Sequence, residues 1–132
     1  MSDKTATQLC IAGEAITIYR FVTVDSGDSY RVDMAGTIGE KCIGVATAAA
    51  TAAGDEVLVA TAGYTLVDFA EAANLGDELT TDGSGKAILA DTTGHNILGY
   101  YAPEPVDGAM PAIASGQRGR VYLYANKMTL AL

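Results

Sequence analysis

Ile16-Thr17-Ile18-Tyr19-Arg20-Phe21-Val22-Thr23-Val24 decides the fold class. Its side chains alternate with period two: Ile16, Ile18, Val22 and Val24 share one strand face, and Thr17, Tyr19, Phe21 and Thr23 share the other. Asp25-Ser26-Gly27-Asp28 follows as a turn, and Tyr30–Asp33 reads as the returning strand of a hairpin. Outward from this hairpin the same signature recurs. Strands are predicted over 41–47, 56–61, 64–69, 78–81, 86–90, 96–102 and 120–124. Between them stand Ala62-Gly63, Leu75-Gly76-Asp77, Asp82-Gly83-Ser84-Gly85 and Thr93-Gly94, all turn chemistry. Many short strands with regular punctuation predict an all-β domain, a small barrel or sandwich of antiparallel strands. Helix has little support. Thr47–Ala53 lacks apolar anchors at helical spacing, and Phe69–Asn74 supports at most about one turn. Residues 1–11 read as an N-terminal arm, polar and aperiodic to Gln8, and residues 12–132 as a single domain.

An internal echo runs through this pattern. Val22-Thr23-Val24-Asp25-Ser26-Gly27 leads to Cys42-Ile43-Gly44-Val45-Ala46 and then to Ala53-Gly54. Leu79-Thr80-Thr81-Asp82-Gly83-Ser84 leads to Ile97-Leu98-Gly99-Tyr100-Tyr101-Ala102 and then to Asp107-Gly108. The Gly44–Gly99 spacing nearly equals the Gly54–Gly108 spacing. Two such units would close into one small barrel, which removes exposed edges. The two copies share little identity, so chance is the alternative to duplication.

A chain of 132 residues fits one domain, and its formal net charge of −8 limits its partners. The eight lysines and arginines are scattered, so the basic footprint of a nucleic-acid binder is missing. The same acidity disfavours anionic lipid, and no apolar run reaches the length of a membrane span. The N-terminus shows no secretory pattern, so synthesis in a cytoplasm is expected. Cys10 and Cys42 lie far apart and read as two reduced thiols, at least one of them buried.

No catalytic, metal or cofactor residues are assigned. His95 is the single histidine, flanked by Gly94 and Asn96, and reads as a surface turn residue. Neither a nucleophile elbow nor a zinc-ligand spacing accompanies it. Asp25, Asp28 and Asp33 form one acidic group and Asp77, Glu78 and Asp82 another. Neither has the order of an EF-hand loop, and both sit where hairpin turns call for Asp and Gly. Asp82-Gly83-Ser84-Gly85 lacks the lysine and helix of a phosphate loop. Tyr100 and Tyr101 are adjacent and so face opposite ways, while Tyr122 and Tyr124 share a face. A tyrosine row of this kind is either a lined outer face or an interface. The apolar end, Met128–Leu132, packs either on its own domain or on a neighbour.

Taken in order, Ile43-Gly44-Val45-Ala46, Ala53-Gly54-Asp55, the Val57–Val59 strand, Ala62-Gly63, Leu75-Gly76-Asp77 and Asp82-Gly83 form one series. It continues through Leu98-Gly99-Tyr100-Tyr101-Ala102, Val106-Asp107-Gly108 and the closing strand Val121–Tyr124. Over roughly residues 12 to 125 the series resembles the small tailed-phage capsid decoration, or cement, proteins. The resemblance implies a β-barrel or β-tulip-like fold, and a homotrimer on the outer face of the capsid. It implies the major capsid protein as partner, reinforcement of the mature shell as function, and no catalysis. The alternative reading is a receptor- or carbohydrate-binding β module that uses exposed tyrosines and loop carboxylates.

Overall fold

The computed structural model describes residues 5–25, 27, 31–124 and 129–130. The chain is all-β, and no helix occurs among the described residues. Five strands make the first half: β1 (Ala6–Ala12), β2 (Phe21–Val24), β3 (Arg31–Met34), β4 (Gly44–Ala46) and the long β5 (Glu56–Asp68). The second half adds β6 (Glu78–Thr81), β7 (Ala87–Leu89), β8 (Asn96–Ile97), β9 (Gly99–Tyr101), β10 (Arg118–Leu123) and β11 (Thr129–Leu130). Nine of these form one sheet, in the order β1-β3-β2-β4-β5-β10-β9-β6-β7.

That sheet replaces the single small barrel expected from the echo, and strand β5 is the reason. Residues 56–61 and 64–69 were expected as two strands reversing at Ala62-Gly63, but the chain runs straight through. Gly63 takes φ +87°, which only glycine adopts at little cost, and the strand continues through it without turning back. The first part of β5 pairs antiparallel with β1 and β4, and the remainder from Gly63 pairs with β10. One strand therefore belongs to both halves.

The pairing scheme is built twice. In the first half β1 runs antiparallel to β5 and parallel to β3, through Ala12↔Val32, while β2 pairs β3 and β4. The pairings thus return on themselves. In the second, the end of β5 runs antiparallel to β10 and meets β7 in a parallel bridge, Phe69↔Ala87, while β6 pairs β7 and β9. Smaller details repeat as well. The Ile16↔Ala50 bridge corresponds to Ala73↔Ile113, and Gly54 N–H donating to Ala12 O corresponds to Gly116 N–H donating to Phe69 O. Gly54 therefore matches Gly116. The expected match to Gly108 fails because Gly108 lies within extra residues that the second copy carries between Ala102 and Ile113.

The two interiors follow suit. Cys10, Ala12, Ile16, Val22, Val32, Ala46, Ala50, Val57 and Val59 fill the first. The corresponding Val67, Phe69, Ala73, Leu79, Ala87, Tyr101, Ile113 and Val121 sit in the second cluster, where Phe69 and Tyr101 meet edge-on at 5.3 Å. That cluster also takes in Phe21, Val45 and Ala60, the outer face of the first half, so the halves share a core. Both cysteines are free and buried.

Three other expectations change. The strand proposed over 16–24 is only β2, because the chain turns at Ile18 and Tyr19. Tyr19 takes φ +62°, held by its N–H donating to Ala46 O at 2.7 Å and by the Arg118 guanidinium 4.5 Å above its ring. Gly76 occupies the matching place, with φ +86° and its N–H donating to Tyr101 O. The arm expected over residues 1–11 is strand from Ala6 onward. Residues 6–9 are exposed and show no alternation, but their backbone pairs with β5. The possible turn of helix at Phe69–Asn74 is irregular chain pinned by the Ala73↔Ile113 bridge. Of the apolar C-terminal end, Thr129 and Leu130 pair with β8 of the same chain; its other residues lie outside the described set.

Gly44 and Gly99 occupy matching places where backbones approach too closely for a side chain. A Cβ on Gly44 would stand 2.0 Å from Ala60 O, and one on Gly99 2.2 Å from Tyr122 O. Both obstacles are backbone atoms and cannot swing aside. Gly44→Ala and Gly99→Ala are each expected to destabilise the fold by roughly 1–3 kcal/mol, as overpacking does. Gly36→Ala, with open space around it, is the control. Urea titration checks all three.

Candidate interaction surface

Sheet period two carries a row of side chains across the outside of the second half. Tyr64 on β5 stands opposite Tyr122 on β10, Tyr122 opposite Tyr100 on β9, and Tyr100 opposite Glu78 on β6. Rings meet along the row at 5.1 Å (Tyr64–Tyr122) and 5.5 Å (Tyr100–Tyr122), and Tyr124 joins Tyr100 at 6.0 Å. The Tyr124 hydroxyl donates to Glu78 Oε2 at 3.3 Å. All four tyrosines are half-buried, and Tyr101 points inward as alternation requires, its hydroxyl donating to Pro111 O.

Arginines continue this face along β10. Arg120 lies opposite Leu66, with its guanidinium 4.4 Å above the Tyr64 ring. Arg118 lies opposite Asp68, whose two carboxylate oxygens accept from Arg118 Nε at 2.7 Å and from Arg20 Nε at 3.1 Å. Burial works against ionisation of Asp68, but the hydrogen bonds from Arg118 and Arg20 outweigh it and hold the carboxyl below its usual range. Arg20, Arg118 and Arg120 balance Asp68, Glu78 and Glu104, so the net charge of −8 lies elsewhere in the chain.

The repeat gives this face its meaning. Register matches Glu78–Tyr100–Tyr122 to Phe21–Val45–Ala60 in the first half. Phe21, Val45 and Ala60 are each 0% exposed, covered within the shared core. The same row of the same unit is buried in one half and open in the other.

The other residues weighed from the sequence are not gathered into one place. His95 packs over Gly39, whose missing Cβ leaves room for the ring. Burial pushes the Cys10 thiol up, and burial followed by the Glu40 charge does the same for Cys42. Asp77 Oδ2 accepts from Asn74 N–H, and Asp82 Oδ1 accepts from Ser84 and Lys86 N–H. Each thus closes its own turn, while Glu78 belongs to the tyrosine row. Asp25 and Asp33 do face each other across Gly13, and Asp28 lies outside the described residues. Asp33 Oδ1 is buried and finds no donor, and its carboxyl is pushed up by burial, then by Glu14 and Asp25. Among the described residues no group of three or more His, Cys, Asp or Glu is placed to hold a metal ion.

Against this geometry, residues 2–123 match the family of phage cement proteins. The chain belongs to that family. This cement protein is thus a capsid-associated structural protein of a phage. No curated protein matches it. Among solved structures it is similar to the N base of the head fiber of bacteriophage phi29. The two share 18% identity and a TM-score of 0.66, covering 92% of this chain and 95% of that one. At that identity the likeness is one of fold.

The two aspartates give opposite pH responses. Asp68, depressed in the folded state, contributes stability that is present above the ordinary carboxylate pKa of about 4 and is lost as pH falls. Asp68→Asn is expected to lower the melting temperature at neutral pH and to converge with the parent protein in acid. Asp33, raised in the folded state, binds its proton more tightly there than in the unfolded chain. Stability linked to it rises as pH falls through the elevated folded value, and levels off below about 4. Asp33→Asn is expected to raise the neutral-pH melting temperature, with the gain shrinking in acid. Thermal melts from neutral pH down to acid check both.

Proposed function

We propose that this cement protein binds the outer surface of the phage capsid as a homotrimer and stabilises the mature shell by binding alone. The tyrosine–arginine face makes the contact with the major capsid protein. The observation that carries the reading is the open row Glu78–Tyr100–Tyr122, extended by Tyr64, whose register counterpart Phe21–Val45–Ala60 is fully covered. Tyrosine and arginine are the residues that anchor protein interfaces, since each combines a broad flat contact area with a polar end. Here the rings already brace one another, so little side-chain freedom is lost on docking. The face is also the place where an acidic molecule can approach a surface without bringing its net charge along.

Stabilisation then follows from added interface. A copy spanning neighbouring capsid subunits must be peeled away before they separate, so its binding free energy adds to the cost of opening the shell.

Co-sedimentation with undecorated mature shells, followed by imaging, tests this. Saturable binding with density at local three-fold positions is expected. Tyr100→Ala and Tyr122→Ala should each weaken binding by at least about tenfold, the range of interface anchors. Absence of binding to cognate shells overturns the reading, and a glycan array then tests the receptor- or carbohydrate-binding alternative.

A further inference from the structure

The halves differ most at one connection. In the first half, Thr47 N–H donates to Leu58 O and Ala50 bridges Ile16, so only Ala48 and Ala49 link these anchors. In the second, the matching anchors are Ala102, whose N–H donates to Arg120 O, and Ile113, which bridges Ala73. Residues 103–112 stand between them, and Pro103, Pro105 and Pro111 are all the prolines of the chain. Residues 104–112 are exposed throughout and join neither core cluster.

This inserted segment is built, not loose. At its tip Val106 and Ala109 exchange backbone hydrogen bonds of 2.7 and 2.9 Å across Asp107 and Gly108. Those two residues take φ +52° and +78°, the left-handed pair of a two-residue hairpin turn. Its base is tied on both sides. Arg120 donates to Ala102 O and Pro103 O and pairs with Glu104, while the Tyr101 hydroxyl donates to Pro111 O. Prolines and a closed turn remove freedom that docking would otherwise cost. Two large apolar side chains are held out by this scaffold: Val106 is 58% exposed and Met110 47%.

We propose that residues 104–111 are a preformed finger whose Val106 and Met110 enter an apolar pocket on the major capsid protein, beside the footprint of the tyrosine face. The inference rests on the capsid-binding reading above. Arg120 makes the finger continuous with that face, since it holds the base of the finger and lies over Tyr64. Glu104 is paired with Arg120, which leaves Asp107 at the tip as the charge the segment presents, so the matching pocket carries a basic rim. A second copy is the poorer occupant, because outside the tyrosine face its surface bears the same sign of charge.

The test is co-sedimentation of the full chain with undecorated mature shells, alongside sedimentation velocity of the protein alone. Val106→Asp combined with Met110→Asp is expected to weaken shell binding at least about tenfold with an unchanged melting temperature. Replacing residues 103–112 with the Ala-Ala link of the first half should do the same. Leu75→Asp, equally exposed at 50% but on another turn, should bind as the parent does. Both finger variants saturating shells like the parent overturns the proposal, as does an equal loss with Leu75→Asp. Loss of binding accompanied by dissociation of the oligomer also overturns it, since the finger then meets a second copy. Failure of the parent protein to bind shells sinks the capsid-binding reading and the finger with it.

Discussion

Strand β5 carries hydrogen bonds on both edges, to β1 and β4 before Gly63 and to β10 after it. It joins the group β1-β3-β2-β4 to the group β10-β9-β6-β7 in the nine-stranded sheet. A continuous strand transmits twist and register along its length, so the two halves cannot shift independently. A one-residue slip would turn Val57 and Val59 out of the first interior, and would turn Val67 out of the second. Gly63 is where this one strand passes from the first interior's pairings to the second's, and the close approaches at Gly44 and Gly99 seat β4 against β5 and β9 against β10.

Two near-copies of one unit joined this way do not have equal surroundings. The outer face of the first unit is absorbed into the shared core, where Phe21, Val45 and Ala60 lie. The matching face of the second unit has no such cover, and tyrosine takes the place of purely apolar side chains. Tyrosine suits that position because its ring packs against neighbours while its hydroxyl remains in water. Asymmetry between repeats therefore marks function here, and the finger at 104–111 follows the same rule. The first unit makes its connection with two alanines; the second adds prolines, a closed turn and exposed apolar side chains.

Charge is distributed to match. Asp68 gathers Arg20 and Arg118, and Arg120 leans on Tyr64, so the cations near the tyrosine row are engaged and the row is electrically neutral. Acidic groups elsewhere act largely on their own backbones: Asp55, Asp77 and Asp82 each accept from N–H groups of the turns they close. Their role is steric and local, which is why carboxylates that are near in sequence do not assemble into a cation site.

The sequence by itself determined the all-β class, the turn between β6 and β7, and that Tyr100 and Tyr101 face opposite ways while Tyr122 and Tyr124 share a face. All of these depend on period-two alternation or on Asp and Gly turn chemistry, which are properties of a few adjacent residues. The ordered series of glycines and alternating apolar residues also resembled the cement family, and two of those glycines, Gly44 and Gly99, stand where nothing larger fits. Only the tertiary structure decided the rest. Ala62-Gly63 reads locally as a turn, yet pairing partners on both edges keep the chain straight through it. Residues 6–9 hide their strand because it is held by backbone pairing while their side chains face water. Tyr19 adopts a glycine-like conformation that no local rule assigns to tyrosine, stabilised by Ala46 and Arg118, which are remote in sequence. Which tyrosine face stays open, and which of its counterparts is covered, depends on how the two halves meet, and that contact is made by residues far apart in the chain.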